Sequence, residues 1–226
     1  MKKLIFGIFA HPDDEAFGPA GTFLHEVAAG NEVHLITLTA GEAGRNPDNH
    51  ADLAEVRLKE WRETGTLIGA TSMHFLGYKD SQLCTKSLEE IIEKIESLIR
   101  EIIADRDEPY EFLAFDLNGI SGHIDHIVAS RAAAAVFYRL KKSANQPLRL
   151  RLYCIPKQWM PDMDVSWLYK EAGCDECDID ETVDAREHLG TIKTIIKTHH
   201  SQREDAAIHL ARTDETLYLN HFKMIQ

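Results

Sequence analysis

Residues 4–15 read Leu-Ile-Phe-Gly-Ile-Phe-Ala-His-Pro-Asp-Asp-Glu, an apolar run that ends abruptly in titratable side chains. The segment Leu4–Phe9 predicts a short strand buried on both faces, the pattern of a parallel sheet. Behind Met1-Lys2-Lys3 it has the look of a secretion signal. The apolar stretch Leu4–Ala10 is too short for one, however, and runs into His11-Pro12-Asp13 with no small-residue cleavage site. Working outward, Glu15–Ala29 carries apolar residues at helical spacing and stops at Gly30. Glu32–Thr39 alternates like a strand, Ala51–Gly69 has a helical period, and Ser72–Leu76 is a short strand. Leu88–Ile103 is the clearest amphipathic helix; Ser87 is its expected N-cap, with Glu90 completing a capping box. Glu111–Phe115 and Leu148–Ile155 read as strands, Ile127–Leu140 and Ala185–Thr198 as helices. This alternation predicts an α/β fold: a single Rossmann-like domain over 1–226, with a mostly parallel sheet flanked by helices. Pro156, Pro161 and a run of acids break the pattern, so about 156–182 is expected to be an irregular excursion.

Composition narrows the function classes. The 226 residues include 37 Asp plus Glu against 25 Lys plus Arg, a net charge of −12, so a basic nucleic-acid footprint is not expected. The same surplus disfavours an anionic membrane surface, and no apolar run approaches the roughly 20 residues of a membrane span. Cys84, Cys154, Cys174 and Cys177 are too few and scattered for a disulfide scaffold, which points to a reducing cytoplasm. Cys174-Asp-Glu-Cys177 is a lone pair among acids and reads as a surface loop with two thiols rather than a structural zinc site.

In an open α/β sheet, ligands bind beyond the C-terminal strand ends. Polar groups crowd those places: His11-Pro-Asp13-Asp14-Glu15 after the first strand, Thr39-Ala-Gly41-Glu42-Ala-Gly44-Arg45 after the second, Gly77-Tyr78-Lys79-Asp80 after the third, and Asp116 through His126 after the fourth. If the chain turns helical at Pro12, His11 and Asp14 share a face while Asp13 points elsewhere. His123-Ile-Asp125-His126 repeats the device with two histidines three apart. Two imidazoles and a carboxylate with one open position are a catalytic zinc pattern. Either cluster alone is as well explained by anions at a helix start and surface histidines; their joint placement after strands is not.

AHPDDE at 10–15 followed by HxDH at 123–126 resembles the PIG-L/LmbE family of metal-dependent N-deacetylases. Further matches are Thr39–Gly44 to a TxGExG loop, Arg57 and Glu60 to RxxE, Gly77–Asp80 to an LGxxD strand end, and His199-His-Ser201-Gln202 to HxSQ. Ile124 departs from the family's usual HPDH. The resemblance implies His11, Asp14 and His126 as metal ligands and Asp13 as general base. It also implies His123, in its protonated form, as the group polarising the oxyanion, with Asp125 orienting a neighbouring imidazole and His199 a further partner. Arg57, Asp80 and Glu42 are expected substrate contacts, and Arg45 a weaker one for an anionic aglycone. Zn2+ suits the donors, with Fe2+, Co2+ or Mn2+ also compatible. The implied substrate is a small N-acetylglucosamine-type sugar or conjugate, cleaved at its amide by metal-activated water. A homo-oligomer is a further implication of the family. Trp61 is expected in the core, Met160 and Met163 as packing residues, and Trp159 and Trp167 as stacking or lid residues. Two other readings stay open: another mononuclear metallohydrolase acting on an amide, ester or phosphoester, and a non-catalytic metal-binding member.

Overall fold

The computed structural model describes residues 2–144, 146, 148–160 and 173–225; Pro161, Met163 and Trp167 lie outside them. Leu4–Phe9 forms β1, every residue of it buried. The chain then makes α1 (Asp14–Phe17), α2 (Ala20–Ala28), β2 (Glu32–Thr39), α3 (Leu53–Ile68), β3 (Ser72–Tyr78), α4 (Thr85–Ile102), β4 (Tyr110–Phe115), α5 (Ile124–Lys141) and β5 (Arg149–Cys154). Beyond the excursion come β6 (Glu181–Asp184), α6 (Leu189–Thr198), α7 (Arg203–Leu210), α8 (Glu215–Tyr218) and β7 (Leu219–Ile225).

The seven strands form one sheet in the order β3-β2-β1-β4-β5-β7-β6. β1 to β5 run parallel, while β7 is antiparallel to both β5 and β6. Alternate strand residues feed two cores. Leu4, Phe6, Ile8 and Phe112 pack under Ile91, Ile95 and Ile99 of α4 and Ala132, Val136 and Phe137 of α5. Ile5, Val33, Leu35 and Leu113 pack under Phe23 of α2, Trp61 of α3 and Ile192 and Ile196 of α6. Trp61 is a core residue, as expected. Among the described residues no helix is long and apolar enough to cross a membrane.

Three local expectations are corrected. The helix foreseen over Glu15–Ala29 is two helices, because Gly18 leaves helical angles and Pro19, which has no N–H, starts α2 afresh. α4 begins one turn early: Cys84 is its N-cap, and Ser87 sits inside the first turn with its hydroxyl accepting from the Cys84 N–H at 3.1 Å. Glu90 instead takes the Tyr78 hydroxyl and pairs with Lys94. Cys174 is buried rather than on a surface loop, next to Ile155 whose carbonyl accepts its N–H, while Cys177 is exposed.

Candidate active site

Strand order reverses direction at β1: β2 lies on one side and β4 on the other. The crevice beyond the C-terminal ends of this pair is where a doubly wound sheet opens to a ligand. Here it holds a cavity of about 790 Å3 lined by His11, Asp13, Asp14, Arg57, Asp80, His123 and His126, among others.

Asp13 and Asp14 are pulled in different directions. Asp14 starts α1, and its Oδ2 accepts the N–H groups of Ala10 and His11 at 3.1 and 3.0 Å. Its Oδ1 lies 3.1 Å from His126 Nε2. Although burial pushes the Asp14 carboxyl up, His126 and His11 hold it well below the usual carboxylate range. Asp13 adopts φ 103°, a left-handed conformation costly for a side chain other than glycine. That turn carries its carboxylate onto Arg57, whose Nη2 donates to Asp13 Oδ2 at 2.9 Å and to the Pro12 carbonyl at 2.7 Å. Burial, working against the Arg57 charge, pushes the Asp13 carboxyl up to about 6.

The two ligand-type histidines face each other. His11 Nδ1 and His126 Nε2 are 3.0 Å apart. The rear nitrogen of each ring meets oxygen: His126 Nδ1 is 3.1 Å from the Gly119 carbonyl, and His11 Nε2 is 3.0 Å from Asp80 Oδ1 and 3.4 Å from Asp125 Oδ2. For His126 this bond fixes the tautomer and turns the Nε2 lone pair inward, while His11 Nε2 has carboxylates beside it but no hydrogen bond among the described residues. Asp125 is itself held by the N–H groups of Ser81 and Leu83, so the imidazole it orients is that of His11. Burial opposes a charged His11, yet Asp125, Asp80 and Asp14 push it up to about 10. A cation is thus strongly favoured among these carboxylates. Ring nitrogens of His11, His123 and His126 also lie within 4.8 Å of one another, as do donor atoms of His11, Asp80 and Asp125.

His123 is the N-cap of α5, and its Nδ1 accepts the Asp125 N–H at 3.3 Å. That bond leaves the proton on Nε2, and burial beside His126 and His11 lowers the pKa of the ring. His123 therefore offers a neutral imidazole N–H rather than the protonated ring expected from the sequence, because burial and the neighbouring rings disfavour its charge.

The loop after β2 wraps Arg57. Gly41, at φ +69°, and Gly44 leave the space the guanidinium fills: a Cβ on Gly41 would lie 2.3 Å from Arg57 Cζ, and one on Gly44 2.6 Å from Nη1. Arg57 Nη1 donates to the Gly41 carbonyl at 2.5 Å. Asp80 faces the cavity and accepts the Ala43 N–H through Oδ2 at 2.9 Å. Glu42 is not among the lining residues; its carboxylate accepts the Asp80 N–H at 3.3 Å. The late HxSQ segment braces the same side. Glu60 accepts both the N–H and the hydroxyl of Ser201, and the Gln202 amide donates to the Arg45 carbonyl. His199 is fully buried, with Nε2 2.9 Å from the Thr64 hydroxyl and 3.5 Å from Glu15 Oε1. Burial, against the pull of the Glu15 and Asp13 backbone N–H groups, pushes the Glu15 carboxyl up to about 8. Arg45 pairs with Glu204 at 2.8 Å.

Trp159 lies against His221 rather than the cavity, whereas Met160 lines it. The remaining wall went unforeseen: Phe17, Phe115, Tyr153 and Ile155 line the cavity, with Ile208 and His209 from α7. Phe115 and Tyr153 lie at the ends of β4 and β5, where only nearness to the strand termini could have hinted at this, and Ile208 and His209 on α7 carry no motif.

A family model described as PIG-L: GlcNAc-PI de-N-acetylase matches residues 6–137. The 1D-myo-inositol 2-acetamido-2-deoxy-alpha-D-glucopyranoside deacetylase of Salinispora arenicola is 32% identical over 175 residues, 66% of this chain. The match spans about half of that relative, 55% of its length. Among solved structures, the N,N'-diacetylchitobiose deacetylase of Pyrococcus horikoshii superposes with a TM-score of 0.70 at 19% identity, over 99% of this chain and 83% of that one. GalB, a 4-carboxy-2-hydroxymuconate hydratase from Pseudomonas putida, gives 0.71 at 15% identity over 100% and 97%. The fold alone therefore does not select the chemistry.

Proposed function

The chain belongs to the PIG-L family, and we propose from that premise that it is a zinc-dependent N-deacetylase of N-acetylglucosamine-type sugar conjugates. The observation that supports it best is the divergence of two adjacent carboxylates: Asp14 towards paired imidazoles, Asp13 onto Arg57 at the cavity wall. His11 Nδ1, His126 Nε2 and Asp14 Oδ1 would hold the ion. The donor set fits, because both rings are backed by oxygen and the surrounding carboxylates call for a cation. When bound, a divalent ion lowers the pKa of water towards about 7 and draws charge from a carbonyl oxygen.

The chain's own groups do the rest. Asp13 takes a proton from the attacking water as its oxygen bonds to the amide carbon. The His123 Nε2–H donates to the amide oxygen as negative charge collects there, a contribution of about 100- to 1000-fold in comparable sites. Asp13 then returns its proton to the nitrogen as the C–N bond breaks, releasing acetate and an amine. Arg57 and Asp80, both on the cavity wall, are the proposed contacts to sugar hydroxyls. Each also holds a neighbour in place, Asp13 and His11 respectively.

Amine release from N-acetylated sugar conjugates tests the proposal, before and after chelation and with Zn2+ restored. Activity that survives complete metal removal would overturn metal dependence. Phosphate release without amine release would overturn the reaction class. His126→Ala is expected to lower the bound metal per chain, and unchanged metal content would remove it from the ligand set.

A further inference from the structure

The two sides of the cavity differ in kind. On the side of β2 and β3 the wall is polar: Gly44, Arg45, Arg57, Asp80 and Ser81. On the side of β4 and β5, beyond Ser121, His123 and His126, it is largely apolar: Phe17, Phe115, Tyr153, Ile155, Met160 and Ile208, with Asp205, His209 and Arg212 beside Ile208. This second wall begins beside the reacting groups, since the Phe115 ring lies 5.2 Å from that of His126, and it extends outward to Ile208, which is 55% exposed. A cavity of about 790 Å3 lies within the roughly 300–1,000 Å3 range of pockets that bury drug-sized ligands, larger than one hexosamine needs.

Of the charged groups near this wall, Asp205 has no ion pair among the described residues, and the others are already engaged. Arg212 donates to the Trp159 carbonyl, and Arg45 pairs with Glu204 at 2.8 Å. His209 stacks on Phe17 with centroids 4.9 Å apart, and burial together with Arg212 lowers it to about 4, so it is neutral near pH 7. A polyol aglycone would find Asp205, His209 and the Tyr153 hydroxyl on this side but no partner along Phe17, Phe115, Ile155 and Ile208, and an acidic one would face Asp205 and have to displace Glu204 or the Trp159 carbonyl. An aromatic or alkyl group would instead remove apolar surface from water on both partners.

Resting on the deacetylase proposal, we infer that the substrate is an N-acetylglucosaminide whose aglycone is apolar, aryl or alkyl, and lies along Phe17, Phe115, Tyr153 and Ile208. The sugar then occupies the Arg57–Asp80 side and the aglycone the side of β4 and β5.

The zinc-loaded enzyme is assayed by amine release on N-acetylglucosamine, on its phenyl and octyl glycosides as both anomers, and on its malate and inositol conjugates. The phenyl or octyl glycosides are expected to exceed the free sugar in kcat/KM by about tenfold or more, from burial of the aglycone. Ile208→Asp is expected to shrink that ratio, read on the same preparation so that loss of folded protein cancels. Equal kcat/KM across the series, or preference for malate or inositol, overturns the inference and leaves the deacetylase standing. No amine from any sugar overturns the deacetylase instead. Calorimetric binding of phenyl glucosaminide against glucosamine then decides the aglycone wall separately: about tenfold tighter binding supports it, and equal affinity overturns it.

Discussion

The flank of the site built by β2, β3 and α3 and the flank built by β4, β5 and α7 share one cavity but hold it differently. The first is a mesh of directed bonds: Arg57 to Asp13, Pro12 and Gly41, Asp80 to Ala43, Glu60 to Ser201, and Gln202 to Arg45. The second is mainly apolar surface, from Phe115 at the histidines to exposed Ile208. Directed bonds fix one geometry, which proton transfer requires; apolar surface accepts shape without fixing it. On the proposed reading, the first flank holds Asp13 through Arg57, His123 and His126 enter from the start of α5, and the apolar residues beyond them meet the conjugate.

The sharpest way to break that division is at the seam. Asp13→Ala is expected to lower kcat for amine release by about 100- to 10,000-fold, the usual worth of a general acid–base group. Metal content should be retained, because the proposed ligands are untouched. Full activity would remove Asp13 as the base and with it the chemical meaning of the polar flank.

Next in size is Arg57, which is 4% exposed. Arg57→Gln leaves the Asp13 carboxylate buried without its ion pair, and breaking such a pair costs about 3–5 kcal/mol. kcat should fall by about 10- to 100-fold through the displaced base. A rise in KM alone, with kcat and stability unchanged, would make Arg57 a substrate contact only. Gly41→Ala approaches the same ion pair from behind. Its positive φ disfavours alanine by about 1 kcal/mol or more, and the new methyl would lie 2.3 Å from Arg57 Cζ. The expected kcat loss of about tenfold should be absent on an Arg57→Gln background, where the methyl has no guanidinium to push.

The same contrast explains what was legible in the sequence. The five parallel strands appear within two residues of their expected bounds; β1, β2, β4 and β5 are covered on both faces and read as apolar runs, whereas β3, a half-exposed edge strand, runs two residues past its expected end. The antiparallel pair β6 and β7 had no such signature. Leu219–Ile225 mixes in His221 and Lys223, and Asn220 is fully buried only because its side-chain oxygen accepts from Thr22, 198 positions away. On the polar flank, motif spacing brought out Asp13, Asp14, Arg57 and Asp80. It could not tell that Arg57 would turn to Asp13 rather than to Glu60, one turn along its own helix. The left-handed turn at Asp13 decides that, and it is stabilised by tertiary contacts. On the apolar flank, Phe115 and Tyr153 looked like any other strand-end core residues, since nothing local distinguishes an apolar side chain facing a cavity from one facing a helix.

The smallest effects separate the flanks through two hydroxyl groups. The Ser201 hydroxyl is buried and donates to Glu60 at 2.6 Å, a bond to a charged acceptor. Ser201→Ala is expected to cost about 1.5–3 kcal/mol in chemical denaturation, because the half-buried carboxylate loses a charge-assisted bond and keeps only the Ser201 N–H. The Tyr153 hydroxyl makes no hydrogen bond among the described residues, and burial, opposed by Arg212 and aided by Cys154 and Cys174, pushes its pKa up to about 12. Tyr153→Phe should therefore change stability by less than about 0.5 kcal/mol, since no bond is broken and the ring keeps its contacts with Phe115 and Phe222. Equal costs for the two substitutions would mean that the Tyr153 hydroxyl is tied into the structure as Ser201 is. The wall of β4 and β5 would then be a second bonded flank, and the contrast on which an apolar aglycone rests would fail at its centre.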